Sequence, residues 1–339
     1  MLIDNLQNIP YFPNKIPIVF ASDDNYIPYL STTIQSIIEN SSQNKYYIFF
    51  ILHKGISTDF INLLIKQVTP FNQFLIEFIN ITDYIKKYDF FISRHVTIET
   101  YFRLFIPELF HKYEKIIYLD CDMIVCTDIA ELYDINIDNY IIAAMHDIDV
   151  INWYYGSKFS KKVKGYRASL SILKNACNYF CAGLCVFNIK LFLDTISHDK
   201  IIQVAKSNEW NWHDQDVLNI IAENKVLLLS FHWGFYNTNH INYLPNLLLN
   251  EYIEAKNNPK IIHFVKKPWI FNRYINHFEY FWKYATRTPF INLIINKMRI
   301  ENSLSLNNEI IDNITYRKGI GIKFLLFDCL KAWLFRKKI

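Results

Sequence analysis

Ile116-Ile117-Tyr118-Leu119-Asp120-Cys121-Asp122-Met123-Ile124-Val125 leads an apolar run into two carboxylates one residue apart, and a second apolar run follows. Four apolar or aromatic residues before Asp120 predict a strand buried on both faces. Alternate side chains of a strand share a face, so Asp120 and Asp122 are expected on one face, about 7 Å apart. Two acids at the end of a buried strand repel each other and lose water, and a hard divalent cation is the simplest compensation. The competing reading leaves both acids in solvent at a strand-to-loop turn.

The flanking chain repeats the theme of acids at strand ends. Ile16 to Ala21 is a predicted strand ending in Ser22-Asp23-Asp24-Asn25-Tyr26. Apolar residues at helical spacing follow over Tyr26 to Glu39. Strands are expected at Tyr46–Leu52 and Phe74–Ile79, with a helix at Thr58–Val68 between them. This β-α-β-α-β order implies a doubly wound α/β sheet, whose ligands sit beyond the carboxyl ends of the strands. Helix capping is the alternative role for the acids. Thr97 to Phe110 has helical period and holds Arg103 in an apolar setting. A buried guanidinium needs an anion, from protein or ligand. Asp128 to Leu132 reads as a turn into a short helix, and the strand Ile141–Met145 closes in His146-Asp147.

Phe180 to Ile189 is a further predicted strand containing Ala182-Gly183, and a glycine there marks close approach of another group. Cys177, Cys181 and Cys185 recur every four residues, which places them on one face as apolar core cysteines, with a soft-metal site as the alternative. Trp210 to Glu223 opens with Trp212-His213-Asp214-Gln215-Asp216 and continues at helical period. Its polar groups suit either a helix cap or a clamp on sugar hydroxyls. Val226–Phe231 and Ile261–Phe264 are the last expected strands, and Lys267-Pro268-Trp269 follows the second of them.

Composition narrows the classes. The 339 residues suit one large domain with an appendage, or two domains, and 51% hydrophobic content assures a core. Only seven glycines are present. No Walker or dinucleotide fingerprint occurs, so a bound nucleotide would be held by side chains and a metal. Residues 315–339 hold seven basic residues against one acid, leaving the rest of the chain at −2 out of a net +4. The body is therefore no nucleic-acid platform. Ile320 to Phe335 reads as a basic amphipathic helix lying against anionic lipid, or as a packing helix. Residues 152–176 hold six basic residues and no acid, as expected of a lid over an anionic ligand or of a solvated loop. Met1 to Ile16 has no signal-peptide pattern, and no apolar run reaches 18 residues.

Five ordered motifs resemble glycosyltransferase family 8, the family of bacterial lipopolysaccharide galactosyl- and glucosyltransferases and of the glycogenins. They are Ile18-Val19-Phe20-Ala21-Ser22-Asp23-Asp24-Asn25-Tyr26, Thr100-Tyr101-Phe102-Arg103-Leu104-Phe105-Ile106-Pro107-Glu108-Leu109, Tyr118-Leu119-Asp120-Cys121-Asp122, Asp214-Gln215-Asp216 and Lys267-Pro268-Trp269. The resemblance implies a GT-A fold, with a mixed, mostly parallel central sheet flanked by helices. Residues 1–15 would be a lead-in, 16–285 the catalytic domain and 286–339 a helical, basic, membrane-associating tail. The implied activity is retaining transfer of galactose or glucose from UDP-galactose or UDP-glucose to a glycolipid or oligosaccharide acceptor, at the inner face of the cytoplasmic membrane. Asp120, Asp122 and His263 match the ligands of Mn²⁺ or Mg²⁺, within the Asp-x-Asp motif that includes Cys121. Ala21, Asp23, Asn25 and Tyr26 match the uridine edge, and Arg103, Ala182, Gly183 and Lys267 match donor contacts. Asp147, Asp214 and Gln215 match residues around the reacting sugar. Two departures stand out: Cys181-Ala182-Gly183 replaces the usual Asn-Ala-Gly, and only Phe264, Val265 and Lys266 separate His263 from Lys267. A soluble transferase acting on protein or polysaccharide, a non-catalytic nucleotide-sugar-binding protein and a metal-dependent phosphohydrolase are the other readings of these residues.

Overall fold

The structure is a computed structural model that describes residues 14–92, 97–156, 176–207, 210–236, 238, 241–270 and 275–300. Ten strands are present among them: β1 Lys15–Ala21, β2 Tyr46–His53, β3 Phe74–Asn80, β4 Lys115–Leu119, β5 Met123–Val125, β6 Ile142–His146, β7 Phe180–Asn188, β8 Val226–Leu229, β9 Phe235–Tyr236 and β10 Ile261–His263. Seven of them form one sheet in the order β3-β2-β1-β4-β7-β6-β8. Every neighbouring pair is parallel except the two that involve β7. Helices cover both faces, which is why the central strands are apolar without alternation. Ile18, Phe20, Phe49 and Ile51 enter one core, while Val19, Ile48, Phe50 and Leu52 enter the other.

The acidic stretch departs from its expected geometry. The strand stops at Leu119, and residues 121–122 make a turn. The second apolar run becomes β5, which leaves the large sheet for a three-stranded one in the order β5-β10-β9. Asp120 and Asp122 therefore converge through a turn between two sheets, rather than by alternation along one strand. The helix Ile27–Asn40 holds that turn with buried hydroxyls. Thr33 Oγ1 donates to Cys121 O at 2.9 Å, and Val125 N donates to Ser36 Oγ at 2.9 Å.

The other irregularity lies in β7. Its pairing with β4 ends at Leu184, opposite Leu119. On its other side Ala144 pairs with Cys185 but His146 pairs with Phe180, so β7 carries three more residues than β6 across that interval. Cys181 to Gly183 therefore leave the regular ladder. The disruption switches side-chain parity: Cys181 enters one core and Cys185 the other. This corrects the expectation of one cysteine face.

Smaller differences have local causes. The predicted helix Thr97–Phe110 is a 3-10 turn over Ile98–Phe105 followed by a short α-helix Ile106–Leu109, because Pro107 cannot continue an α ladder. Val226–Phe231 ends as a strand at Leu229, and Phe231–Gly234 is a 3-10 turn into β9. Residues 152–156 of the basic stretch belong to the helix Ile148–Gly156, while 157–175 lie outside the described residues. The same is true of the tail, 315–339. Residues 291–300 are helical. The core runs past residue 285 to include Phe290 and Ile294. The helix Phe278–Ala285 docks on Ile27–Asn40, with Asn40 Nδ2 donating to Tyr284 Oη at 2.8 Å and Arg287 forking Glu39 at 2.6 Å.

Candidate active site

Asp122, at the turn after β4, is 7% exposed, and His263 ends β10. The antiparallel register of β5 and β10 sets His263 against Met123, and Phe264 N donates to Asp122 O at 3.0 Å. His263 Nε2 lies 3.3 Å from Asp122 Oδ1 and 3.8 Å from Asp120 Oδ2. One ligand atom from each of these three residues falls within 4.8 Å of the others. Asp122 Oδ1 is buried with no hydrogen-bond partner. Lys267 Nζ is bonded to the other oxygen, Oδ2. The short link from His263 thus delivers Lys267 to the site. An orphaned buried carboxylate oxygen facing an imidazole and a second carboxylate fits a hard divalent ion. Burial works against the Asp122 charge, but Lys267 and His263 outweigh it and hold the carboxyl below its usual range. Burial likewise opposes the Lys267 charge, and Asp122 more than offsets it.

Gly183 is the residue that lets these groups meet. A Cβ there would lie 2.7 Å from both Asp120 Oδ2 and His263 Cε1. The strand glycine does mark a close approach, as its position predicts. The backbone released from the β7 ladder is used by the site. Asp120 N donates to Gly183 O at 2.8 Å, Arg103 Nη1 to Ala182 O at 2.5 Å, and Ala182 N to Gln215 Oε1 at 2.9 Å.

Arg103 ties two groups of acids together. Its Nη2 is 3.1 Å from Asp120 Oδ1, and its Nε is 2.7 Å from Asp214 Oδ2. The Nε hydrogen points at Thr100 O, 3.2 Å away, so the Asp214 contact is ionic rather than hydrogen-bonded. Burial disfavours this guanidinium, yet Asp120 and Asp214 overcome that and raise its pKa well above normal. The ring of Tyr118 lies 4.5 Å beneath it, and Tyr118 Oη donates to Asp120 Oδ1 at 2.9 Å.

Beyond Arg103 lies an amide-centred corner. Asp214 and Gln215 sit in the first turn of the helix His213–Ile221. Asp214 Oδ1 accepts from Thr100 Oγ1 at 2.6 Å. Gln215 Nε2 donates to Asp147 Oδ2 at 2.9 Å and to Tyr179 Oη at 3.3 Å. Asp147 Oδ1 caps the helix Ile148–Gly156 by accepting from Val150 N at 2.9 Å. Burial pushes both Asp147 and Asp214 up to about 6. Tyr179 Oη donates to Asp216 Oδ1 at 2.7 Å, and Trp212 N to Asp216 Oδ2 at 2.9 Å. Trp212, 37% exposed, stacks on Trp153 with centroids 5.8 Å apart at the edge of this corner.

The carboxyl end of β1 forms a third side. Ala21 O accepts from Cys121 Sγ at 3.1 Å, so the Cys121 side chain turns toward the backbone and only its turn borders the acids. Asp23 organises its own loop, accepting from Tyr26 N at 3.0 Å and Asn25 Nδ2 at 3.2 Å. These are contacts within the loop, and no side chain caps the helix Ile27–Asn40. Tyr26 is 41% exposed, and burial of the part that packs raises its hydroxyl pKa. Tyr29 stacks on Trp269 at 3.7 Å, pinning the segment after Lys267. A surface cavity of about 340 Å³ beside Gln35, Gln67 and Arg287 has none of these acids in its lining.

The fold thus joins Asp147, Gln215, Ala182, Arg103, Asp214, Asp120, His263, Asp122 and Lys267 through continuous contacts, while Asp23 and Asn25 bond to each other at the loop. The structure adds Thr100, Tyr118 and Tyr179 to the site, and sets Cys181, which stands at the family's usual Asn, beside His263. Thr100 and Tyr118 stand inside recognised motifs and Cys181 marks a departure from one, but nothing local marks Tyr179 or the 3.7 Å approach of the Cys181 thiol to His263 Nδ1.

The chain is 26% identical over 283 residues to General stress protein A of Bacillus subtilis, covering 80% of this chain and 93% of that protein. It is 31% identical over 139 residues to the lipopolysaccharide 1,3-galactosyltransferase of Salmonella typhimurium, covering 40% of this chain and 39% of that one. The apo structure of the bifunctional glycosyltransferase WbbM superposes with a TM-score of 0.74 at 26% identity, over 85% of this chain and 52% of that chain. The fold is of the GT-A kind. The model of glycosyl transferase family 8 matches residues 17–273, and the chain belongs to that family.

Proposed function

We propose that this glycosyltransferase moves galactose or glucose from UDP-galactose or UDP-glucose to a saccharide acceptor, with retention of configuration and with Mn²⁺ or Mg²⁺, in building lipopolysaccharide or lipooligosaccharide. The observation that carries the reading is the cluster of Asp120, Asp122 and His263 around an orphaned carboxylate oxygen, with Lys267 beside it. A divalent ion held there would stabilise the negative charge that grows on a departing diphosphate. Lys267 would exchange Asp122 for a phosphate oxygen, and Tyr26 lies near enough to feel the charges of Lys267 and Asp122. Arg103 holds Asp120 and Asp214 at fixed separation, which keeps the acids in register with the donor.

Gln215 bears on the stereochemistry. Its carbonyl oxygen accepts from Ala182 N, and its amide donates to Asp147 and Tyr179. An amide engaged at both ends is a poor nucleophile. This supports attack on the same face from which the diphosphate leaves, with the leaving oxygen taking the acceptor proton. Asp147 and Gln215 then orient the acceptor hydroxyl and the donor sugar. The lipopolysaccharide assignment rests on the Salmonella relative. Membrane attachment through residues 315–339 is part of the same proposal, and no helix among the described residues is long and apolar enough to cross a membrane.

The test is a screen of UDP-sugars for hydrolysis by the purified chain, with and without Mn²⁺. Hydrolysis of one UDP-hexose that needs Mn²⁺ is the expected result. Failure with every UDP-sugar would overturn the donor assignment. Release of protein from anionic vesicles on deleting residues 315–339 tests the tail.

A further inference from the structure

An imidazole that ligates a metal through Nε2 must carry its proton on Nδ1, and the partner of that proton sets the ring's tautomer and orientation. In this chain the Nε2 edge of His263 faces Asp122 and Asp120. The atom facing Nδ1 is Cys181 Sγ, 3.7 Å away and buried. Two further walls confine the ring. Gly183 leaves no room beside Cε1, and Tyr236 meets the imidazole edge-on at 5.3 Å. Cys181 reaches this position because β7 departs from its ladder between Phe180 and Leu184.

We propose that Cys181 is a positioning residue for His263. Its sulfur accepts the Nδ1 proton when Nε2 faces a divalent ion, and its S–H donates to Nδ1 when Nε2 carries the proton toward Asp122. A thiol does both without moving, because it is a weak donor and a weak acceptor. The residue that replaces the family's usual Asn therefore supports the metal ligand from behind. The inference rests on the divalent-ion reading of the site.

Titration calorimetry with Mn²⁺ in the presence of UDP tests it on the full-length protein. Cys181→Ala is expected to weaken Mn²⁺ by about 10- to 100-fold, and Cys181→Ser to recover affinity to within about threefold of the parent. Nitrogen-15 histidine spectra of the Mg²⁺-loaded parent should place the His263 proton on Nδ1, with the signal assigned by its loss in His263→Asn. In Cys181→Ala that preference should be reduced, with the melting temperature showing that the fold persists. An alanine variant that binds Mn²⁺ as tightly as the parent overturns the proposal alone. A parent that binds no Mn²⁺ beside UDP overturns the metal reading and this proposal together.

Discussion

The two polar corners of the site are built from similar residues, yet folding shifts their carboxyl pKa values in opposite directions. At the ion corner, Asp122 is 7% exposed and is held ionised by Lys267 and His263. At the amide corner, Asp147 is 4% exposed and Asp214 is 3% exposed, and burial pushes each up to about 6. Asp214 stays raised although Arg103 lies 2.7 Å away, because burial outweighs that charge, whereas Asp122 and Asp147 are comparably buried and differ in their partners. Asp122 faces a cationic amine and an imidazole, whereas Asp147 is held by an amide and a backbone N–H. A charged acid with one orphaned oxygen suits a cation. An acid raised toward neutral pH and held by directional bonds suits the placing of hydroxyl groups. Arg103 and the irregular stretch of β7 keep the two corners apart and in register.

Breaking the ion corner should have the largest effect. Asp122→Asn removes a ligand charge, and Mn²⁺-dependent donor hydrolysis should fall roughly a thousandfold. Calorimetry should show the loss of Mn²⁺ affinity directly, and unchanged affinity would remove Asp122 from the ion site. Gly183→Ala comes next. Its Cβ would have to displace Asp120 or His263, so about a hundredfold loss of turnover is expected, together with weaker Mn²⁺ binding.

The amide corner should respond differently. Tyr179→Phe deletes the hydroxyl that joins Asp216 to Gln215. A loss of about tenfold in kcat, or about 1.4 kcal/mol, is expected, with Mn²⁺ affinity unchanged. A matching loss of Mn²⁺ affinity would mean that the corners are not separable.

The smallest effect is a pH linkage. Asp147 is raised to about 6, so its contribution to stability is present below the ordinary carboxylate pKa and is lost as pH rises through about 6. Asp147→Ala has no such titration. The parent's stability advantage over Asp147→Ala, read from urea unfolding, should therefore be greater at pH 5 than at pH 7.5, by about 1 kcal/mol. An equal advantage at both pH values would mean that the Asp147 pKa is not raised by folding.

The sequence by itself determined the repeated apolar strand followed by a helix, because periodicity and burial on both faces are local properties. It also marked the residues that gather at the strand ends: Asp120, Asp122, Asp147, Asp214, Gln215, His263 and Lys267. Gly183 announced a close approach by being a glycine inside an apolar strand. Tertiary structure decided how those residues meet. Asp120 and Asp122 converge because a turn sends β5 into a second sheet, where it pairs with β10 and brings His263 alongside. No pattern within ten residues encodes that pairing. The release of Cys181 to Gly183 from the ladder also depends on strands distant in sequence, and with it the bonds to Arg103, Asp120 and Gln215. The raised Asp147 and the lowered Asp122 follow from the same cause: a carboxyl's charge state depends on the partners that folding brings to it, and those come from elsewhere in the chain.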